Sequence, residues 1–255
     1  MIHFLKEILG AAGDLCLSGL SEDLSRSLGF KDAKDLVTIV DRRVEDYLVS
    51  RIKKRFAGHD IIGEESGSHL SGSDYCWVID PIDGTTSYFH RQPYFSVSIG
   101  LKEKGELICG GVYAPALKQM FLAARGEGAT LNGMPIQVSG CTLLVNSVLA
   151  TGFACLRSGL EHNNLSYFNR IMPEIRDVRR CGSAALDLAY VAAGKYDGFW
   201  EMNLNEYDVA AGVLLVTEAG GRIFDFNGGS HYPDQGIIGT NGRIDRELLT
   251  FFEPI

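Results

Sequence analysis

Apolar residues recur at helical spacing over residues 2–17: Ile2, Leu5, Ile8, Leu9, Ala12, Leu15 and Cys16 share one face and predict an amphipathic helix. Residues 22–34 are polar and charged and read as a loop. The helical spacing resumes at Val40 and runs through Val44, Tyr47, Leu48, Ile52 and Phe56 to Gly58. Thr38 is placed to cap this second helix, with Asp41 three residues on. Ile61 and Ile62 make a short strand ending at Gly63-Glu64-Glu65-Ser66, and residues 75–80 make another, stopped by Pro81. Phe95, Val97, Ile99 and Leu101 alternate with Ser96, Ser98 and Gly100, which predicts a strand with one buried face. Residues 107–113 and 120–123 read as further strands, and Asn132-Gly133 as a tight hairpin.

After about residue 145 strands and helices alternate. Strands are expected at 148–150, 178–180, 199–202, 223–224 and 237–238. Helices are expected at 161–172, 182–194, 206–219 and 243–252, the third closed by Gly220-Gly221. The fold class is therefore mixed, α+β passing into α/β, with two sub-domains at 1–144 and 145–255 sharing one interface. No Pro/Gly/Ser linker, repeat or low-complexity segment interrupts the chain.

Composition narrows the functional classes. With 255 residues and 45% apolar content the chain can bury a sizeable core. Its apolar runs are too short to cross a bilayer, and Glu7 and Asp14 break the first one, unlike a secretory signal. A cytoplasmic protein is expected. The net charge of −8 argues against direct binding of nucleic acid or an anionic membrane. The six cysteines show no C-x-x-C pair or zinc spacing and read as free thiols.

The chemistry concentrates in Trp77-Val-Ile-Asp80-Pro-Ile-Asp83-Gly84-Thr85-Thr86. An apolar strand delivers Asp80 to its end, and the bend at Pro81 lets Asp83 converge on the same point. Converged carboxylates repel, and a divalent cation removes that penalty. Oxygen-only ligands favour Mg²⁺, Mn²⁺ or Ca²⁺ over zinc. The amides of Gly84 and Thr85, at the head of a helix, can hold a phosphate oxygen. The competing reading is an ordinary Asp-Gly turn, in which Asp80 has no part. Glu64 also sits at a strand end, and spacing alone does not choose between it and Glu65. Asp208 opens a helix rich in small residues (Ala210, Ala211, Gly212), either as a ligand or as a carboxylate balancing the helix dipole.

The segments D-L-V-T-I-V-D (35–41), G-E-E-S (63–66), W-V-I-D-P-I-D-G-T-T (77–86), C-G-S-A-A (181–185), Y-D-V-A-A-G (207–212) and E-A-G-G (218–221) together resemble the inositol monophosphatase family, in order and over nearly the whole chain. The resemblance implies an α-β-α-β-α layered sandwich, usually a homodimer, and a lithium-sensitive phosphatase using two or three Mg²⁺, for which Mn²⁺ can substitute. Glu64, Asp80, Asp83, Asp208 and the carbonyl of Ile82 match its metal ligands. Asp41 matches an acidic residue lining the site, though a purely capping role stays open. Glu64 and Thr85 match groups that orient or deprotonate the attacking water. Gly84 and Thr85 match phosphate contacts; Gly182, Ser183 and Ala184 match a second helix start facing the substrate, with Asp83 and Asp208 beside it. Glu201 matches a residue that binds a sugar-alcohol hydroxyl; an exposed strand-end glutamate is the alternative. Tyr207 stands where the family usually has tryptophan and Ser87 where it has asparagine, while Lys31 and Lys34 compete for a lysine position.

The expected activity is hydrolysis of a small phosphate monoester, foremost myo-inositol monophosphate, by metal-activated water without a covalent intermediate. A haloacid-dehalogenase-type enzyme also uses D-G-T, but its nucleophilic Asp would fall at Pro81. Fructose 1,6-bisphosphate, histidinol phosphate, NADP or adenosine bisphosphate remain alternative substrates within the family. A regulatory protein docking onto a transcription complex is the alternative of another class.

Overall fold

The computed structural model describes residues 1–22, 28–32 and 35–252, the segments 28–32 and 35–37 by their backbone course. Helix α1 (Ile2–Gly19) is followed by a hairpin of β1 (Leu28–Asp32) and β2 (Asp35–Thr38), which leads into α2 (Ile39–Arg55). Strands β3 (Asp60–Gly63), β4 (Gly67–His69) and β5 (Tyr75–Asp83) precede the short helix α3 (Thr85–Phe89). A meander follows: β6 (Ser96–Glu103), β7 (Glu106–Ala114), β8 (Gln119–Ala124), β9 (Gly128–Leu131) and β10 (Met134–Ile136). The second half contains β11 (Val148–Thr151), α4 (Ala154–Arg157), α5 (Asn164–Ile171), β12 (Asp177–Arg179), α6 (Ala184–Ala192) and β13 (Gly198–Glu201). It closes with α7 (Glu206–Glu218), β14 (Arg222–Phe224), β15 (Ile237–Thr240) and α8 (Asp245–Leu249).

Two sheets organise these elements. The larger has the order β10-β9-β8-β7-β6-β5-β3-β4, antiparallel except for the β3–β5 pair. The smaller has the order β12-β11-β13-β15-β14, with β11 parallel to both its neighbours. Helices α1 and α2 pack Leu5, Ile8, Leu9, Val44, Leu48 and Ile52 against Trp77, Ile79, Val97 and Ile99 on one face of the large sheet. Helices α6 and α7 fill the space between the sheets. Tyr167 and Ile171 of α5 and Leu248 of α8 cover the far side of the small sheet. The result is the α-β-α-β-α sandwich that the resemblance implied.

Several local readings need correction. Residues 28–32 lie in β1, paired antiparallel with β2, where a loop was expected; residues 23–27 and 33–34 lie outside the described residues. The pairing is a backbone property that the polar composition of this stretch hides. The terminal helix is shorter than 243–252, because Thr250, Phe251 and Phe252 bond back three residues and tighten the chain out of α geometry. The helix expected from 161 begins at Asn164, where the Asn163 side chain accepts the Leu165 N–H at 3.0 Å. The Asn132-Gly133 turn matches its prediction, both residues having positive φ (51° and 82°).

Strand β6 is buried on both faces, where one was expected to meet solvent. The cause is α7, which lies close on the face of Ser96, Ser98 and Gly100. A Cβ on Gly100 would stand 3.0 Å from the Ala210 Cβ, and one on Gly110 would stand 3.1 Å from the Ala211 Cα. Glycines on the sheet and alanines on the helix thus form a small-residue seam that sets how deep α7 can sit. Gly110→Val, adding bulk against helix backbone, is expected to lower unfolding free energy by about 1–3 kcal/mol. Denaturant titration of the variant measures this.

Candidate active site

The site begins with an irregularity in β5. Asp80 pairs with Ser98 and Asp83 pairs with Ser96, so two residues of β5 oppose the single Val97. In a regular strand positions three apart point to opposite faces. The extra residue reverses that parity, so Asp80 and Asp83 share a face, the one toward α6 and α7. Pro81 does not end the strand, as expected from sequence, but sits in the bulge, where its missing N–H costs no ladder bond. The Ile82 N–H turns back to Asp80 Oδ1 at 3.0 Å.

Asp208 comes from the first turn of α7, where its Oδ2 accepts the Asn205 N–H at 2.6 Å. Asp83 Oδ2 accepts from the Ser183 hydroxyl and the Ala185 N–H, both at 2.7 Å, at the head of α6. Because Ser183 spends its one proton on Asp83, Ser96 donates to Ser183 at 3.0 Å and links β6 to the same point. Ligand oxygens of Asp80, Asp83 and Asp208 then lie within 4.8 Å of one another. Strand β3 runs parallel to β5, and the Glu64 N–H bonds the Ile79 carbonyl at 3.3 Å. That register sets Glu64 beside Asp80, on which it acts by charge and by a side-chain hydrogen bond, while Glu64 and Glu65 both act electrostatically on Asp41. Of the two, Glu64 is the one that adjoins the cluster.

Burial, followed by the charges of Glu64, Asp83 and Asp208, holds the Asp80 carboxyl well above the ordinary carboxylate range. Burial lifts Asp83 to about 6 against the pull of its hydrogen bonds from Ser183 and Ala185. Desolvation and Asp83 raise Asp208 likewise. Among the described residues no lysine or arginine forms an ion pair with Asp80, Asp83 or Asp208. Buried carboxylates without a cationic partner, drawn from oxygen donors only, fit a hard divalent cation such as Mg²⁺.

Asp41 fulfils both of its readings. Its Oδ2 accepts from the Thr38 N–H (2.8 Å) and the Thr38 hydroxyl (2.5 Å) in the capping box of α2. Its Oδ1 lies 3.2 Å from the Thr85 hydroxyl, which is also 3.1 Å from the Ile82 carbonyl. One hydroxyl proton serves one of these acceptors at a time. Burial raises Asp41 to about 7. Gly84 heads α3 with φ 93°, and a Cβ there would stand 2.9 Å from the Tyr94 carbonyl. Gly182, Ser183 and Ala184 border the cleft beside Asp83 and Asp208.

A profile described as the inositol monophosphatase family matches residues 1–253. The Nus factor SuhB of Pseudomonas aeruginosa is 42% identical over 260 residues, covering 100% of this chain and 96% of the relative. The inositol-1-monophosphatase of Mesorhizobium japonicum is 41% identical over 252 residues, covering 98% and 94%. Among solved structures, the extragenic suppressor protein suhB of Bartonella henselae superimposes with a TM-score of 0.92 at 34% identity, covering 98% of this chain and 97% of that one. The chain belongs to the inositol monophosphatase family. That membership supports a phosphatase, in a family generally dependent on Mg²⁺.

Two further positions of this inositol monophosphatase relative bear on the sequence reading. Glu201 is buried (6% exposed), not an exposed strand end; its Oε1 accepts the Ala154 N–H at 2.9 Å, and burial raises it to about 7. Ser87, at the family's asparagine position, donates to the Cys181 carbonyl at 3.1 Å and ties α3 to the loop before α6. Lys34 lies outside the described residues, and Lys31 is described only by its backbone in β1. No helix among the described residues is long and apolar enough to cross a membrane, and the six cysteines are free.

Sequence reading missed Glu45. It is buried (1% exposed) on α2, and its carboxylate accepts the N–H groups of Glu65 (2.9 Å) and Ser66 (2.6 Å). It thereby fixes the loop that carries Glu64. The signal was its place four residues after Asp41, within the apolar stripe of Val44, Leu48 and Ile52. Arg157, Arg180 and Asp187, which line the cleft, were missed as well.

Metal binding and pH are linked at this cluster. Asp83 and Asp41 hold protons in the folded chain up to about pH 6 and 7, which the unfolded chain releases near the ordinary aspartate value of 3.8. Metal-free stability from these groups therefore falls as pH rises through that window, and a bound cation replaces the protons. The expected outcome is a larger rise in melting temperature, Mg²⁺ against EDTA, at about pH 7.5 than at about pH 5. Thermal unfolding at the two pH values checks it.

Proposed function

We propose that the chain hydrolyses a small polyol phosphate, foremost myo-inositol monophosphate, with Mg²⁺ held by Glu64, Asp80, Asp83, Asp208 and the Ile82 carbonyl. The observation that carries this reading is the group of buried Asp80 and Asp83 and half-buried Asp208 within 4.8 Å, with no lysine or arginine ion pair among the described residues, opening on a cleft that contains Glu201. Bound Mg²⁺ supplies an acidified water and offsets charge on the leaving oxygen. The rest is work for the chain itself. Glu64 and the Thr85 hydroxyl orient the attacking water and draw off its proton, Asp41 lying behind Thr85 at 3.2 Å. The amides of Gly84 and Thr85 and the head of α6 receive phosphate oxygens. Glu201, desolvated at the cleft, takes a hydroxyl of the polyol. Nothing in this arrangement calls for a covalent intermediate.

Asp80→Asn is expected to lower Mg²⁺-dependent phosphate release from myo-inositol monophosphate by more than about 100-fold. Circular dichroism should show the fold retained. Wild-type turnover in the purified variant would overturn the assignment.

A second reading rests on the relatives from Pseudomonas aeruginosa and Escherichia coli that bear the name Nus factor SuhB, the latter 44% identical over 252 residues. In it the same fold docks onto a transcription complex, independently of hydrolysis. Asp83→Asn separates the two: a cellular phenotype surviving in this variant favours docking, and one lost with phosphatase activity favours hydrolysis.

A further inference from the structure

Beside the acidic cluster lies a small cleft with about 340 Å³ of empty space, part of it open to solvent. Asp83, Asp208 and Ser183 form the wall nearest the cluster. Arg157 and Arg180, both exposed, stand on its lining, and Glu201 and Asp187 are its buried acids. Asp187 is 2% exposed, yet its Oδ1 has no hydrogen-bond partner among the described residues.

Its position on α6 does not account for this oxygen. Asp187 lies in the first turn, where a carboxylate balances the helix dipole. The donors at that helix end are nevertheless spent elsewhere: Ala185 N–H on Asp83, Leu186 N–H on the Ser183 hydroxyl, and Asp187 N–H on the Ser183 carbonyl. Every other residue of α6 is apolar, so an apolar side chain here would extend the core. A buried oxygen without a donor costs stability unless a ligand supplies one. Glu201 differs, since one of its oxygens is already held by Ala154.

Resting on the proposed phosphatase activity, we infer that Asp187 is a substrate-specificity residue. Its carboxylate, on the cleft lining, accepts a hydroxyl of the polyol while a neighbouring hydroxyl goes to Glu201. The substrate class is then a phosphate monoester carrying at least two hydroxyls close to one another on the side away from the phosphate. Arg180, which acts electrostatically on both Asp187 and Glu201, keeps the two acids from repelling such a ligand. An ester with no hydroxyl gains nothing from this wall.

The experiment compares kcat/KM for myo-inositol monophosphate and p-nitrophenyl phosphate, with Mg²⁺, in wild type, Asp187→Leu, Asp187→Ala and Asp187→Asn. The first two variants remove the acceptor, one filling the space and one emptying it, so either suffices if the other fails to fold. The ratio of the two kcat/KM values is expected to fall by about 10- to 100-fold in Leu and Ala. In Asn, which keeps an acceptor, it should stay within about threefold. A ratio unchanged within about twofold in Leu and Ala overturns the inference. Equal losses on both substrates overturn it too, in favour of a structural role. If wild type hydrolyses neither ester, the phosphatase reading fails separately. The inference is then judged by thermal stabilisation with myo-inositol monophosphate and Mg²⁺: present in wild type and lost in Leu and Ala supports it, and absent from wild type overturns it.

Discussion

Mutual repulsion among buried carboxylates is the constraint around which this molecule is built. Asp80, Asp83 and Asp208 stand within 4.8 Å of one another, with Glu64 adjoining, and each makes the others harder to ionise. A chain folding for stability alone would disperse them or pair them with cations. Here hydrogen bonds hold one oxygen of each in place: Ile82 on Asp80, Ser183 and Ala185 on Asp83, Asn205 on Asp208. Each carboxylate can then turn its second oxygen on the shared point. The metal-free chain gives up stability to hold this geometry.

The surrounding elements serve that geometry at different distances. The β5 bulge puts two acids on one face, the parallel β3 brings Glu64 alongside, and Glu45 pins the loop beyond it. Helix α6 does two jobs with one turn: its head grips Asp83 through Ser183 and Ala185, while Asp187, two positions beyond Ala185, lines the cleft. Membership of the inositol monophosphatase family agrees with this layout across the chain. The presence of both phosphatases and Nus factors among its relatives shows that the fold and the name of an activity are separable.

Legibility in the sequence followed the range of the interactions involved. D-P-I-D-G-T-T was readable because strand, bend and carboxylates are neighbours in the chain. The bulge was not, since its parity is defined by Ser96 and Ser98 on another strand. Glu64 could not be separated from Glu65 without the register of β3 on β5. Strand β6 carried a true alternation, but small residues on its polar face meant a second covered surface, not solvent. Glu201 could not be told from an exposed strand end in the sequence, because what buries it, Gly152 and Ala154, lies some fifty residues earlier. Asp187 did leave a trace, as the one charge in a helix otherwise apolar all round.

The seam of Gly100 and Gly110 against Ala210 and Ala211 acts as a depth gauge for the acidic cluster. Helix α7 carries Asp208 at its head, so any thickening of the seam lifts that carboxylate away from the other two. Interior packing and chemistry are consequently not free to drift apart over evolutionary time.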